Sequence, residues 1–76
     1  MKTWAIVAAA SYDNWRIPCP SLENALAQVA SWNDSTISDV NEYEDGRFVK
    51  RHGTYRFGVR YENAVEAMTA HVSRQS

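Results

Sequence analysis

The chain has 76 residues, a net charge of −1 and one cysteine, Cys19. A chain this short reads as a single domain over residues 1–76 and buries only about 60–65% of its unfolded surface. Dimerisation or packing on a larger partner is therefore the natural supplement to its core. One cysteine excludes an intrachain disulfide and fits a reducing compartment, and the near-neutral charge excludes nucleic-acid binding by bulk positive charge. No apolar run reaches the roughly 18–20 residues of a membrane span.

Residues 2–9 read as a first strand, with Trp4, Ile6 and Ala8 on one face and Thr3, Ala5 and Val7 on the other. Both faces are largely apolar, which suits a central strand. The short apolar segment of residues 1–10 superficially matches a secretory leader, but it is too short and contains Trp4. A cytoplasmic location follows as the expectation. Residues 11–15 form a turn-rich stretch holding Tyr12 and Trp15, and residues 15–17 suit a short edge strand stopped by Pro18.

Ser21 is a good N-cap, and Glu23 sits where the helix dipole favours an anion. Leu22, Ala25, Leu26, Val29 and Ala30 make an amphipathic stripe. The helix should stop near residues 32–35.

Residues 37–60 read as a three-stranded antiparallel meander. Its turns are placed at Asp45-Gly46 and His52-Gly53, since Asp-Gly favours a two-residue type I′ hairpin. With two-residue loops, Glu44 faces Arg47, Tyr43 faces Phe48 and Glu42 faces Val49. Alternation then puts Tyr43, Phe48, Tyr55, Phe57 and Val59 on a core face. Glu42, Glu44, Arg47, Arg51, Arg56 and Arg60 share the other. Val40 is out of phase with Ile37 and Tyr43, so it either points away from the core or marks a bulge.

Tyr61, Ala64, Val65, Met68 and Val72 form a second helical stripe, with residues 73–76 expected to fray. The fold class expected is α+β: a small antiparallel sheet, made of the N-terminal strand plus the meander, with two helices packed on one face.

Four features compete as sites. Arg47, Arg51, Arg56 and Arg60 suit phosphates or an acidic protein surface; alternatively they pair with Glu42 and Glu44, each pair worth a few tenths of a kcal/mol. Trp4, Phe48 and Phe57 are assigned to the core. Tyr12, Trp15 and Trp32 lie in or beside turns, where they either cap the core or serve as interface anchors near the arginines. Residues 55–61, YRFGVRY, resemble faintly the aromatic strand of RNA-recognition sheets, but the register buries Tyr55 and Phe57. Cys19 between two prolines matches a cysteine–proline haem contact, a reactive thiol, a dimer cross-link or simple core packing, the last being the plainest.

No catalytic set is legible. There is no glycine-rich phosphate loop and no Ser/His/Asp or Cys/His constellation, and His52, His71 and Cys19 lack the spacing of metal ligands. No enzyme activity, metal or cofactor is expected.

The layout as a whole resembles that of small phage-encoded anti-CRISPR proteins: a helix over residues 21–32 against the meander of residues 37–60, then a closing helix. The resemblance implies a non-catalytic inhibitor that binds a CRISPR surveillance complex and blocks target-DNA binding. Such inhibitors often mimic DNA with an acidic face. Here Asp34, Asp39, Glu42, Glu44 and Asp45 cluster beside basic strands, which favours occlusion of a protein surface over mimicry. The partner-binding residues expected are Glu42, Glu44, Arg47, Arg51, Arg56, Arg60, Trp15 and Tyr12. The alternative is a small nucleic-acid-binding or regulatory dimer that uses the basic sheet face.

Overall fold

The computed structural model describes residues 1–9, 14–33 and 36–75. Five strands and two helices follow in the order β1 (Lys2–Ala8), β2 (Arg16–Cys19), α1 (Leu22–Ala30), β3 (Ser38–Glu44), β4 (Arg47–Arg56), β5 (Val59–Tyr61) and α2 (Ala64–Gln75). The strands form one antiparallel sheet in the order β2-β1-β3-β4-β5. The chain is an α+β domain. As expected, β1 is central, between β2 and β3.

Strand β2 runs through Pro18 to Cys19, past the point where the sequence predicts its end. Because β2 is an edge strand, a residue without an N–H is tolerated there. Helix α1 starts as predicted: Ser21 is extended at φ −154°, and its Oγ accepts the Asn24 N–H at 3.1 Å. Its buried Ala25 and Val29 pack with Ile6, Cys19 and Val40, and Leu22, Leu26 and Tyr55 close around them. Burying each large aliphatic of this group stabilises the fold by about 1.5–3 kcal/mol.

The β3–β4 turn is the one the sequence predicts. Asp45 and Gly46 have φ of 51° and 83°, and Glu44 faces Arg47. The second turn is elsewhere. His52-Gly53 lies inside β4, and the chain reverses at Phe57-Gly58, where φ is 54° and 74°. Positive φ at both central residues again marks a type I′ turn. Gly53 serves another purpose: a Cβ there would sit 2.6 Å from Arg60 Nε. The missing side chain lets Arg60 fold back and donate from Nε to the His52 carbonyl at 3.1 Å.

Two extra residues in β4 reset the faces of the sheet. Asp39 pairs with Thr54 but Asn41 with Arg51, so His52 and Gly53 together oppose Val40. Glu42 pairs with Lys50 but Tyr43 with Phe48, which leaves Val49 unopposed. Both are bulges, and each shifts the alternation by one residue. The irregularity anticipated at Val40 is therefore a bulge, and Val40 itself is fully buried. The core side of β3 is Ser38, Val40 and Glu42, so the predicted phase of this strand is inverted. Phe48 is exposed instead of buried, Trp4 is half-buried, and Phe57 is a half-buried turn residue.

Helix α2 begins later than predicted, because Tyr61 still pairs with Thr54 in β5. Asn63 caps it, its Oδ1 accepting the Glu66 N–H at 2.9 Å. The helix is assigned as far as Gln75, the run from Ala64 containing no Gly or Pro to end it. Among its described side chains, which end at Thr69 and so leave out Val72, Ala67 is buried whereas Val65 and Met68 are exposed; a small residue permits the closest approach to a strand. Helix α1 lies against β1 to β4 and α2 against β4 and β5. The α2 carbonyl that meets the sheet, that of Ala67, is held by Arg56. Arg56 is next to Tyr55 in the strand and so projects from the opposite surface of β4.

The three positive-φ glycines rank by what surrounds them. Gly46 has nothing within 4 Å of a built Cβ, Gly53 meets the flexible Arg60 side chain, and Gly58 meets the Ala30 backbone oxygen at 2.7 Å. Urea unfolding should find Gly46→Ala costing about 1 kcal/mol, Gly53→Ala somewhat more, and Gly58→Ala the most, about 2–3 kcal/mol.

Candidate interaction surface

The acidic and basic residues on which the sequence focuses are distributed differently from the expected cross-strand pairing. Glu42 is buried, only 8% exposed. One of its oxygens accepts a hydrogen bond from His52 Nε2 at 2.7 Å, and the other lies 3.4 Å from Lys2 Nζ. The hydrogen bond from His52, with the Lys2 ammonium adding to it, holds the Glu42 carboxyl below its ordinary 4.5 against the opposing effect of burial. Glu44 and Asp45 lie 3.8 and 2.6 Å from the amino group of Met1. These carboxylates thus answer β1 and His52, not the arginines.

Three of the four arginines bind backbone. Arg51 donates to the Glu62 carbonyl at 3.1 Å, Arg56 to the Ala67 carbonyl at 3.4 Å, and Arg60 to the His52 carbonyl. Arg60 also lies 3.6 Å from Glu62, and Arg56 stacks over Phe57 at 5.3 Å. The expected single arginine face is split: Arg60 is opposite Tyr55 on the α1 side, while Arg51 and Arg56 are on the other. A carbonyl acceptor near a helix or turn is a use that residue type and spacing alone do not reveal.

What remains outward is the far half of the β3–β4 hairpin. Every residue from 47 to 51 is exposed. Phe48 is 60% exposed and packs edge-on against Tyr43, with centroids 6.1 Å apart, and Val49 is 49% exposed. Among the described residues, no carboxylate lies within ion-pair distance of Arg47 or Lys50. A groove lined by Asp39, Asn41, Phe48, Lys50 and Arg51 runs beside them. An aromatic anchor ringed by cations is the composition of a binding hot spot. Phe48, Val49 and Lys50 are the site residues that the sequence reading misses. Their signal is the surplus of β4 residues over β3, which appears only once both turns are placed.

Trp15 and Trp32 meet edge-on at 5.9 Å. With Ile17 and Thr36 they line a second cavity, of about 250 Å³. Both indoles also pack on the core cluster, so they lid it as well as line a surface. Tyr12 and Asp34 lie outside the described residues. Tyr55 packs on the core beneath α1 and presents no base-stacking surface. The Cys19 thiol is buried, accepts from Gln28 Nε2 at 3.5 Å, and is pushed up in pKa by its burial. Among the described residues, no His, Cys, Asp and Glu side chains gather as a metal site, and no helix is long and apolar enough to cross a membrane.

No protein-family model matches the chain, and neither the curated proteins nor the solved structures contain a match.

Two outcomes follow from this geometry. A carboxyl whose pKa is lowered by folding adds stability that is complete above its ordinary 4.5 and disappears as pH falls through the lower folded value. Chemical denaturation should therefore lose midpoint as pH falls from above 4.5 through the lower folded value, and Glu42→Gln should flatten this acid limb. Arg56→Ala should lower the midpoint by releasing the α2 carbonyl, whereas Arg47→Ala should stay within about 0.5 kcal/mol of wild type.

Proposed function

We propose that this chain is a non-catalytic inhibitor that binds a partner protein through the exposed half of its β3–β4 hairpin. The observation that carries the reading is Phe48, an aromatic left 60% exposed at the end of a two-stranded arm and flanked by Arg47, Lys50 and Arg51. A small core has no reason to leave its largest apolar side chains in water, and an exposed aromatic beside arginine suits a protein interface. Glu42, Glu44 and Asp45 are engaged by Lys2, His52 and the amino terminus, and Asp39 by the Thr54 hydroxyl, which favours a contact made by the cations and Phe48 over mimicry of DNA by an acidic face.

The target class we infer, from the resemblance in layout, is a CRISPR nucleoprotein complex in the host cytoplasm, occluded so that target DNA is not engaged. Capture from a host lysate with the tagged protein, washed in steps of salt and compared with Phe48→Ala, tests this. The expected result is a multi-subunit nucleoprotein complex retained by wild type through moderate salt and lost with Phe48→Ala at unchanged stability. Bulk nucleic acid that leaves in the first salt step would instead assign the basic strand to nucleic acid, because phosphate contacts weaken steeply with salt. Self-association alone would leave a regulatory dimer.

A further inference from the structure

The outer edge of β4 is open along residues 47–51. Strand β5 pairs only with Thr54, Tyr55 and Arg56, and no strand among the described residues pairs with the rest of that edge. An exposed edge presents a row of backbone donors and acceptors that another extended chain can complete. From this we infer that the hairpin takes its partner by strand addition, and that the occupant is an extended acidic segment laid along residues 47–51. The inference rests on the protein-binding reading above and names the chemistry of the partner.

Charge selects among the occupants. Arg47, Lys50 and Arg51 stand along five residues that contain no acid, and Arg47 and Lys50 have no described carboxylate within ion-pair distance. A second copy laid on this edge would oppose the same three cations to themselves, and like charges across paired strands are destabilising. Lysine on an edge and a bulge at Val49 are also devices that discourage self-pairing. An acidic strand meets the opposite situation, since each of its carboxylates gains a cation and its approach is accelerated by the field.

The surface beside the edge fits such a strand. Side chains of an added strand alternate between faces, so one set falls beside the groove lined by Asp39, Asn41, Phe48, Lys50 and Arg51. Phe48 offers apolar contact there, and Asn41 Oδ1 is buried with no hydrogen-bond partner among the described residues. The apolar and charged residues of the edge together call for a segment that alternates acidic with β-branched residues.

The test uses the whole protein and an alternating glutamate–valine peptide of about six residues, the length of an ordinary strand. The comparison peptides carry lysine for glutamate, or N-methyl groups on alternate backbone nitrogens. We expect saturable binding of the acidic peptide, slowed hydrogen exchange at amides within residues 47–51, and binding about tenfold weaker for Lys50→Glu. N-methylation should abolish binding. Absence of binding at millimolar peptide would overturn the inference, as would binding that survives N-methylation, which would be charge attraction without strand pairing. Slowed exchange at the same amides in the protein alone, rising with its concentration, would assign the edge to a second copy. A partner captured from lysate in a Phe48-dependent way, with no peptide binding, would leave the function standing and remove only strand addition.

Discussion

Strand β4 spends two more residues than β3 over the length they share, and the rest of the molecule follows from that mismatch. One surplus sits at His52-Gly53 opposite Val40, the other at Val49. Val40 shares the α1 side with Tyr55 because it is two residues from Ser38, the direct partner of Tyr55. With both surplus residues, the segment between the bulges is turned over relative to a regular hairpin. His52 meets the buried Glu42 at the first bulge, while Phe48, opposite Tyr43 and on the face away from Tyr55, is outside because β4 runs unbroken from Arg47 to Arg56. A regular ladder would have made a tidier core and a less distinctive surface.

The same mismatch governs the electrostatics. Once Glu42 is turned inward it must be compensated, because an unpaired buried carboxylate is expensive. Lys2 and His52 do this, the Met1 amino group takes Glu44 and Asp45, and Asp39 accepts from the Thr54 hydroxyl. The cost falls on β4, where Arg51 and Arg56 turn to backbone carbonyls and Arg47 and Lys50 have no described carboxylate within ion-pair distance. A chain with a net charge of −1 thereby carries a locally basic arm. The sum of charges conceals this entirely, since it depends on who pairs with whom.

The contrast between sequence and structure divides along lines of locality. Helix α1, with its Ser21 cap and its alanine-lined stripe, was legible because cap, dipole and period all lie within one short stretch. The Asp45-Gly46 turn was legible for the same reason. The α+β class and the central place of β1 could be read from its two apolar faces. The second turn could not. His52-Gly53 is the better local turn signal, yet Phe57-Gly58 wins, because Gly53 is needed as an opening for the Arg60 side chain and Gly58 as a contact with the end of α1. Both needs arise from residues distant in sequence. The roles of Arg51, Arg56 and Arg60 were hidden likewise, since their acceptors are carbonyls whose position no side chain announces.

Cys19 illustrates how a plain packing residue acquires a further meaning from its position. Its sulfur lies in the seam between β2 and α1, touched by Gln28 from the helix and sealed by Val29 and Ile6. A thiol so placed is largely shielded from water, and its burial favours the protonated form. It becomes a nucleophile only when helix and edge strand part. As the lone sulfhydryl of the chain it works as a chemical clock, its reactivity timing how often α1 lifts from the sheet. Because α1 also rests on Tyr55 of β4 and its last turn abuts Gly58, the same clock would register whether a partner on β4 holds the helix down.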